Sequence, residues 1–293
     1  MTNVGNAMTL REQHWDTEIT GGSSWTKSLR ELFQYKDLIS SLVKRDFIAL
    51  YKQTVLGPLW VVIQPILTSL MFYIVFSRIA RIDTGDIPPI LFYLLGYTIW
   101  IYFADCVVKT SDTFIANQGI LGKVYFPRLV IPLAIVLTNL IKFGIQMILF
   151  IVVYLVYDLA IGIEGNQISP IMFLLPLLIL IMAIFGLGVG LIISALTTKY
   201  RDLKFLIQFG IQLVMFGTPV VWPLRLVPEE HHWKLLLNPM AGVLEASKVA
   251  FFGTDFGVFS WFYIGYAFVA SLFFLLIGTV LFARVERTFM DTI

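Results

Sequence analysis

The residues best placed to do chemistry are polar groups set at helical spacing within apolar surroundings. Asn139, Lys142 and Gln146 lie three and four residues apart, so they share one face of a helix. Lys142 sits near the middle of a long apolar block, and a charge at that depth must face protein or water. Two uses fit this stripe: a polar wall toward a translocation path or partner helices, or hydrogen bonds that join neighbouring helices. A second stripe repeats every four residues as Lys204, Gln208 and Gln212, with Phe205, Phe209 and Phe216 on the adjacent face. Amides pair with hydroxyl groups, and aromatic rings accept the apolar C–H face of a pyranose, so the combination suits a sugar polymer. Phenylalanines turned to lipid are the competing reading. A third group, Lys44, Arg45 and Lys52, places basic charge where anionic lipid headgroups would collect.

Other chemistries are missing. There is no G-x-x-x-x-G-K-[ST], and Gly119-Ile120-Leu121-Gly122-Lys123 is too short and lacks the hydroxyl, so nucleotide binding through a P-loop is not expected. No nucleophile elbow, metal-ligand spacing or strong carboxylate dyad is present, and no catalytic site or cofactor is expected in this chain. His231 and His232 stand in a polar loop with no cysteine near them, which is too few ligands for zinc. The single cysteine, Cys106, has no internal disulfide partner. No metal and no nucleic-acid partner are expected.

The elements that must position the stripes follow from the apolar blocks. Hydrophobic residues make up 58% of the 293 and charged residues 14%, less charge than soluble domains of this size carry. The blocks are long enough to cross a bilayer, which takes roughly 20 apolar residues. The expected fold is an all-α polytopic membrane protein. Residues 1–26 read as a flexible cytoplasmic N-terminus without a secretory signal. Residues 27–54 read as an amphipathic helix in the membrane interface, with Leu38, Ile39, Leu42 and Val43 on its apolar face. Residues 55–293 form the transmembrane domain, with six spans near 57–77, 89–108, 129–157, 170–197, 203–221 and 260–283. Pro65 predicts a kink in the first span, and Gln64 beside it is expected to face protein. Residues 129–157 would make a helix of about 43 Å, long enough to begin in the interface and tilt. Gly186, Gly188 and Gly190 lie within an apolar helix and predict close helix packing.

Charge placement orients these spans. Lys44, Arg45, Lys109, Arg128, Lys199 and Arg284 fall on one side with most other basic residues, whereas the opposite side holds Arg78, Arg81, Arg225, Lys234 and Lys248. Both termini are therefore expected in the cytoplasm. A seventh span between 222 and 259 would put Arg284 outside, and Glu245 and Lys248 argue against one. That connection is read instead as re-entrant helices between spans five and six, which dip in from the outer face and return.

Five stretches in order carry a resemblance. They are Arg45-Asp46-Phe47 leading to Tyr51 through Trp60, Asn117 through Arg128 with Tyr125-Phe126-Pro127, Tyr200-Arg201-Asp202, Thr218-Pro219, and Asn238-Pro239. On this scaffold the chain resembles the membrane subunits of ABC-2-type polysaccharide exporters, which handle O-antigen, capsule and teichoic acid chains. The resemblance implies a homodimer in the bacterial inner membrane, bound to two copies of a separate ATPase that holds ATP and Mg. It implies an ATPase coupling helix at Ile115, Asn117, Leu121, Lys123, Tyr125 and Phe126, where apolar residues in a cytoplasmic loop suit a protein contact. It implies a substrate path using Asn139, Lys142, Gln146, Phe205, Gln208, Phe209, Gln212 and Phe216. The substrate would be a polysaccharide on a polyprenyl diphosphate, its headgroup at Lys44, Arg45 and Lys52. An outer gate would include Trp222, Pro223, Asn238, Pro239 and Glu245, and helix 27–54 would line an inner lateral gate. Two alternatives stay open: an ABC-2 exporter of small amphiphiles or drugs, and an ion-coupled secondary transporter with Lys142 as its coupling site.

Overall fold

The computed structural model describes residues 34–52, 54–121, 126–162, 170–200 and 202–290, and every regular element among them is helical. Helix α1 spans Lys36–Tyr51. Helix α2, Trp60–Phe72, runs on into a wider π-helical stretch at Tyr73–Ile79. Helix α3 is Pro89–Ser111, followed by two single-turn helices, α4 (Thr113–Ala116) and α5 (Gln118–Leu121). Then come α6 (Val130–Ile161), α7 (Leu175–Thr197) and α8 (Leu203–Gly217). Helices α9 (Glu229–Leu236), α10 (Pro239–Phe252) and α11 (Trp261–Met290) complete the order.

Five segments are long and apolar enough to cross a membrane: Gly57–Ile79, Pro89–Ser111, Val130–Ala160, Pro170–Thr197 and Trp261–Val285. They match the expected spans other than the fifth to within three residues at every end. Helices α9 and α10 meet at 117°, and counting that bent pair as a span gives six. The expected fifth span, 203–221, is cut short: α8 has 15 residues, or about 22 Å. Proline 219 cannot donate to a helical ladder, and Thr218 is already extended at φ −103° and ψ 147°. The chain beyond α8 is nevertheless inside the protein, since Thr218, Val220 and Val221 are buried. Irregular backbone at such a depth is stable where protein surrounds it.

Helix α3 is the hub. Ten consecutive residues, Leu91–Trp100, are buried, as expected of a helix that is apolar all round. Helices α2, α6 and α7 pack against it, and α11 packs against α7. Between apolar helices in lipid there is little hydrophobic driving force, so close packing and polar contacts hold them together. The glycine run of α7 supplies that closeness. A Cβ on Gly188 would lie 2.5 Å from the Leu275 amide nitrogen of α11, and one on Gly190 would lie 2.6 Å from Thr110 Cβ of α3. Small residues on two sides of one helix thus join the hub to α11.

Two local features mark the first span. Pro65 lies inside α2 without ending it, and a wider π-type turn follows later, where the Ala80 amide donates to Val75 O. Gln64 is exposed, yet its side chain reaches Tyr97 of α3, while α2 buries the stripe Val61, Pro65 and Ser69, spaced by four.

Candidate functional site

The polar stripe of α6 meets α3 as an ion-pair cluster. Lys142 Nζ donates to Asp105 Oδ2 at 2.8 Å, and Lys109 Nζ lies 3.5 Å from the same oxygen. Lys109 also donates to Asn139 Oδ1 at 2.8 Å. One turn further along α6, Gln146 turns to another neighbour and donates to Val61 O of α2 at 3.3 Å. Asn139 and Gln146 are 2% and 1% exposed, so their amides are spent on helix contacts within the chain. The expected common polar face therefore divides between two neighbours. Asp105 is a site residue that reading the sequence missed. It stands within an apolar span four residues before Lys109, and a carboxylate at that depth requires a partner.

Beside this cluster a cleft of about 540 Å³ opens among α1, α3 and α8, lined by Arg45, Asp46, Lys109, Asp112, Lys204 and Gln208. A smaller cavity of about 300 Å³ adjoins it, with Asp46, Lys109, Thr138 and Asn139 in its wall. The cleft charges are paired rather than free: Arg45 with Asp46 at 2.7 Å and Lys204 with Asp112 at 2.6 Å. Taking Asp105 and Lys142 with them, four bases face three acids, leaving one positive charge in excess. Such a lining offers donors and acceptors to hydroxyl groups and a net attraction to an anionic group. Of the three basic residues expected at a headgroup site, Arg45 lines the cleft, whereas Lys44 and Lys52 are exposed and absent from its wall.

Gln208 belongs both to the cleft and to the outward face of α8. Along that helix Phe205, Phe209 and Phe216 are 74%, 59% and 42% exposed, and Gln212 is exposed too. Met215 alone of α8 is buried among the described residues. Carboxamides at membrane depth lose hydrogen bonds if they face lipid tails. The α8 face therefore needs water, ligand or another protein surface against it.

At the opposite end of α8 the motifs Thr218-Pro219 and Asn238-Pro239 come together. Asn238 caps α10 by accepting from the Met240 amide at 3.1 Å, with Pro239 at the first helical position. Its Nδ2 donates to Thr218 Oγ1 at 2.9 Å. Lys248 Nζ donates to Pro219 O at 2.6 Å and to Glu245 Oε1 at 2.7 Å. Glu245 Oε2 accepts from the Val258 amide at 3.1 Å, and the Lys248 ammonium lies 4.5 Å from the Phe92 ring centre. Both side chains of this pair are 1% exposed. Trp222 Nε1 donates to Phe216 O at 2.9 Å, and Pro223 is buried behind it. Lys248 was legible three residues after Glu245, but its bond to Pro219 was not.

The segment expected to contact an ATPase is described in part. Ile115 and Asn117 are half-buried, and Asn117 donates to Thr113 O at 3.1 Å. Leu121 ends α5, while Lys123 and Tyr125 lie outside the described residues. Phe126 corrects the expectation of an exposed aromatic: it is 6% exposed, in a cluster with Leu42 of α1, Phe114, Val130 and Ile131 of α6, and Phe282 of α11. Burial there uses its ring for internal packing. In the same cluster Leu38, Ile39 and Val43 of α1 pack, so the apolar face of α1 rests on the bundle, and residues 27–33 lie outside the described part. Among the described residues no group of three or more His, Cys, Asp or Glu could hold a metal ion.

Residues 37–252 match the model of the ABC-2 type transporter family. The chain is 30% identical over 226 residues to the O-antigen export system permease protein RfbA of Myxococcus xanthus, covering 76% of this chain and 84% of that one. It is 26% identical over 255 residues to the RfbA permease of Klebsiella pneumoniae, covering 87% and 94%. It is 23% identical over 216 residues to the polysialic acid transport protein KpsM of Escherichia coli, covering 73% and 81%. The family match spans most of the sequence, from α1 to the end of α10, and the chain belongs to the ABC-2 type transporter family.

Proposed function

We propose that this chain is the transmembrane subunit of an ABC transporter that exports a lipid-linked polysaccharide, most specifically an O-antigen on a polyprenyl diphosphate, across the bacterial inner membrane. The observation that carries this reading is the near full-length similarity to O-antigen export permeases. A homodimer would bring the exposed amide and aromatic face of α8 against a second copy or a shared aqueous path. A separate ATPase, present in two copies and holding ATP and Mg, supplies the energy. The ATPase docks near Ile115, Asn117 and Leu121, with both termini on the same cytoplasmic side. The chain crosses six times when α8 and the buried stretch after it serve as the fifth span, with α9 and α10 forming a re-entrant outer gate. Arg45 and Lys109 in the cleft, rather than the exposed Lys44 and Lys52, hold the diphosphate, because the cleft pairs hydroxyl-binding groups with one excess positive charge. Sugars then pass along Gln208 and Gln212, their apolar faces against Phe205, Phe209 and Phe216.

The test is a deletion strain carrying the chain on a plasmid together with its candidate ATPase. The expected outcome is surface polysaccharide in the complemented strain and intracellular lipid-linked polymer in the deletion. Export that persists when the ATPase is inactivated would favour an ion-coupled carrier. Unchanged polysaccharide with altered efflux of small amphiphiles would favour a drug exporter.

A further inference from the structure

Past the closed run Leu91–Trp100, helix α3 keeps one half-buried stripe. Ile101, Asp105, Val108, Lys109 and Asp112 follow at steps of one, three and four and share a face. Val108, Lys109 and Asp112 line the cleft, and Asp105 continues the stripe one turn deeper. The Lys142 and Lys109 ammonium groups both lie on Asp105 Oδ2, so Oδ1 has no hydrogen bond among the described residues. Two turns beyond Asp105, about 12 Å at 1.5 Å per residue, the same face ends at Tyr97. Its hydroxyl is in hydrogen-bonding contact with the Thr68 and Gln64 side chains of α2. Its ring meets Phe72 edge-on at 5.9 Å between centres, and Phe72 and Tyr93 close the seam beyond it. Gln64 is exposed, and a carboxamide has two donors and two acceptor lone pairs, so contact with Tyr97 leaves most of its capacity unused. Seven residues into a span, such a group needs hydrogen-bonding partners that lipid tails do not supply.

We propose that Asp105, Tyr97 and Gln64 form a binding site for the sugars nearest the diphosphate. The proposal rests on the exporter reading above, in which Arg45 and Lys109 hold the diphosphate. The sugar bonded to that group lies next to it, and the stripe leads from Lys109 to Asp105 and on to Tyr97. Asp105 Oδ1 accepts from a sugar hydroxyl, and Gln64 both donates and accepts. The site is built within one chain: Asp105 and Tyr97 are recessed on α3 between α2 and α6, whereas the exposed crest of α8 is what a second copy would meet. A site made to hydrogen-bond hydroxyl groups rejects a ligand that lacks them, because its polar groups are then left unpaired. The charged cleft binds any polyprenyl diphosphate; the Asp105–Tyr97–Gln64 site lets the protein tell the sugar-bearing lipid from the bare carrier.

The experiment uses the full chain with its ATPase in lipid nanodiscs without ATP, and measures binding of two probes. One is undecaprenyl diphosphate, and the other is the lipid-linked polymer extracted from the deletion strain. The variants are Gln64→Leu and Tyr97→Phe, which remove hydrogen-bonding groups and add no charge, with Lys109→Gln as the cleft control. Wild type is expected to bind the polymer-bearing lipid about tenfold more tightly than the bare diphosphate. Gln64→Leu and Tyr97→Phe should each lose about five- to tenfold in affinity for the polymer-bearing lipid and keep that for the bare lipid within about twofold. Lys109→Gln should weaken both. Gln64→Met replaces Gln64→Leu if that variant does not accumulate, with the same expected loss. Unchanged affinity for the polymer-bearing lipid in either the Gln64 or the Tyr97 variant would overturn the site. So would equal wild-type affinity for the two lipids, a Gln64 or Tyr97 variant that loses both alike, or a Gln64 variant that no longer assembles with a second copy. A wild-type complex that binds neither lipid would instead overturn the exporter reading itself.

Discussion

Two charge systems lie at opposite ends of α8 and are built differently. The Glu245–Lys248 pair is sealed: both side chains are 1% exposed, and their remaining hydrogen bonds go to Pro219 O and the Val258 amide. The Asp105, Lys109, Lys142, Asp112 and Lys204 cluster borders a cleft, with side chains 13% to 38% exposed. Burying charge is costly unless every group is satisfied, so the sealed pair tolerates little change. The open cluster keeps access to water, and its groups can exchange partners at lower cost. Substitutions at the sealed end should therefore be read first as stability effects, and those at the open end as effects on transport.

The largest expected effect is at Lys248. Lys248→Met should destabilise the protein by about 3–5 kcal/mol, because Glu245 is left as an unpaired buried charge. Resistance to denaturant in detergent checks this. Glu245→Gln combined with Lys248→Met should cost less than the sum of the two singles, since neither charge is then stranded. A single variant as stable as wild type would remove the distinction between the two ends.

Next is Lys142→Met, which deletes a charged hydrogen bond to Asp105. A loss of about 1.5–3 kcal/mol is expected, with Lys109 still beside the carboxylate to limit it. Export should fall more than the amount of folded protein does, as measured by comparing surface polysaccharide with membrane-extracted protein. Asn238→Ala tests the sealed end with a neutral group. Losing the cap should cost about 0.5–2 kcal/mol, visible as a lower unfolding midpoint. The smallest effect is expected from Lys44→Gln with Lys52→Gln, exposed residues on α1 and just after its end. Export should change by less than about twofold, whereas Lys109→Gln in the cleft should reduce it further. Equal effects of the two would return the headgroup site to the outer face of α1.

The sequence carried the long spans well because their signal is local: a run of apolar residues is needed wherever backbone must be satisfied inside a bilayer. It carried the α8 boundary poorly. Thr218-Pro219 was read only as a motif of the resemblance, and the apolar residues Val220 and Val221 beyond it extended the hydropathy signal into backbone that is not helical. Lys142, Asn139 and Gln146 were legible as a polar face, yet their partners sit 37, 30 or 85 residues away, and no spacing rule reaches that far. Phe126 looked like an exposed loop aromatic because flanking charges hid a cluster built from four distant parts of the chain.

By itself, then, the sequence determined the all-helical membrane-spanning class, the places of the long apolar helices at 57–79, 89–111, 130–160, 170–197 and 261–285 to within a few residues, the close packing of the α7 glycines, and the absence of a P-loop motif. These follow from periodicity, run length and residue size, which neighbours along the chain decide. Only the tertiary structure paired Lys142 with Asp105, joined Thr218-Pro219 to Asn238 and Lys248, and set Asp112 against Lys204. Those contacts depend on which helix faces come together, and that is settled by packing across the whole bundle rather than by any one stretch of residues.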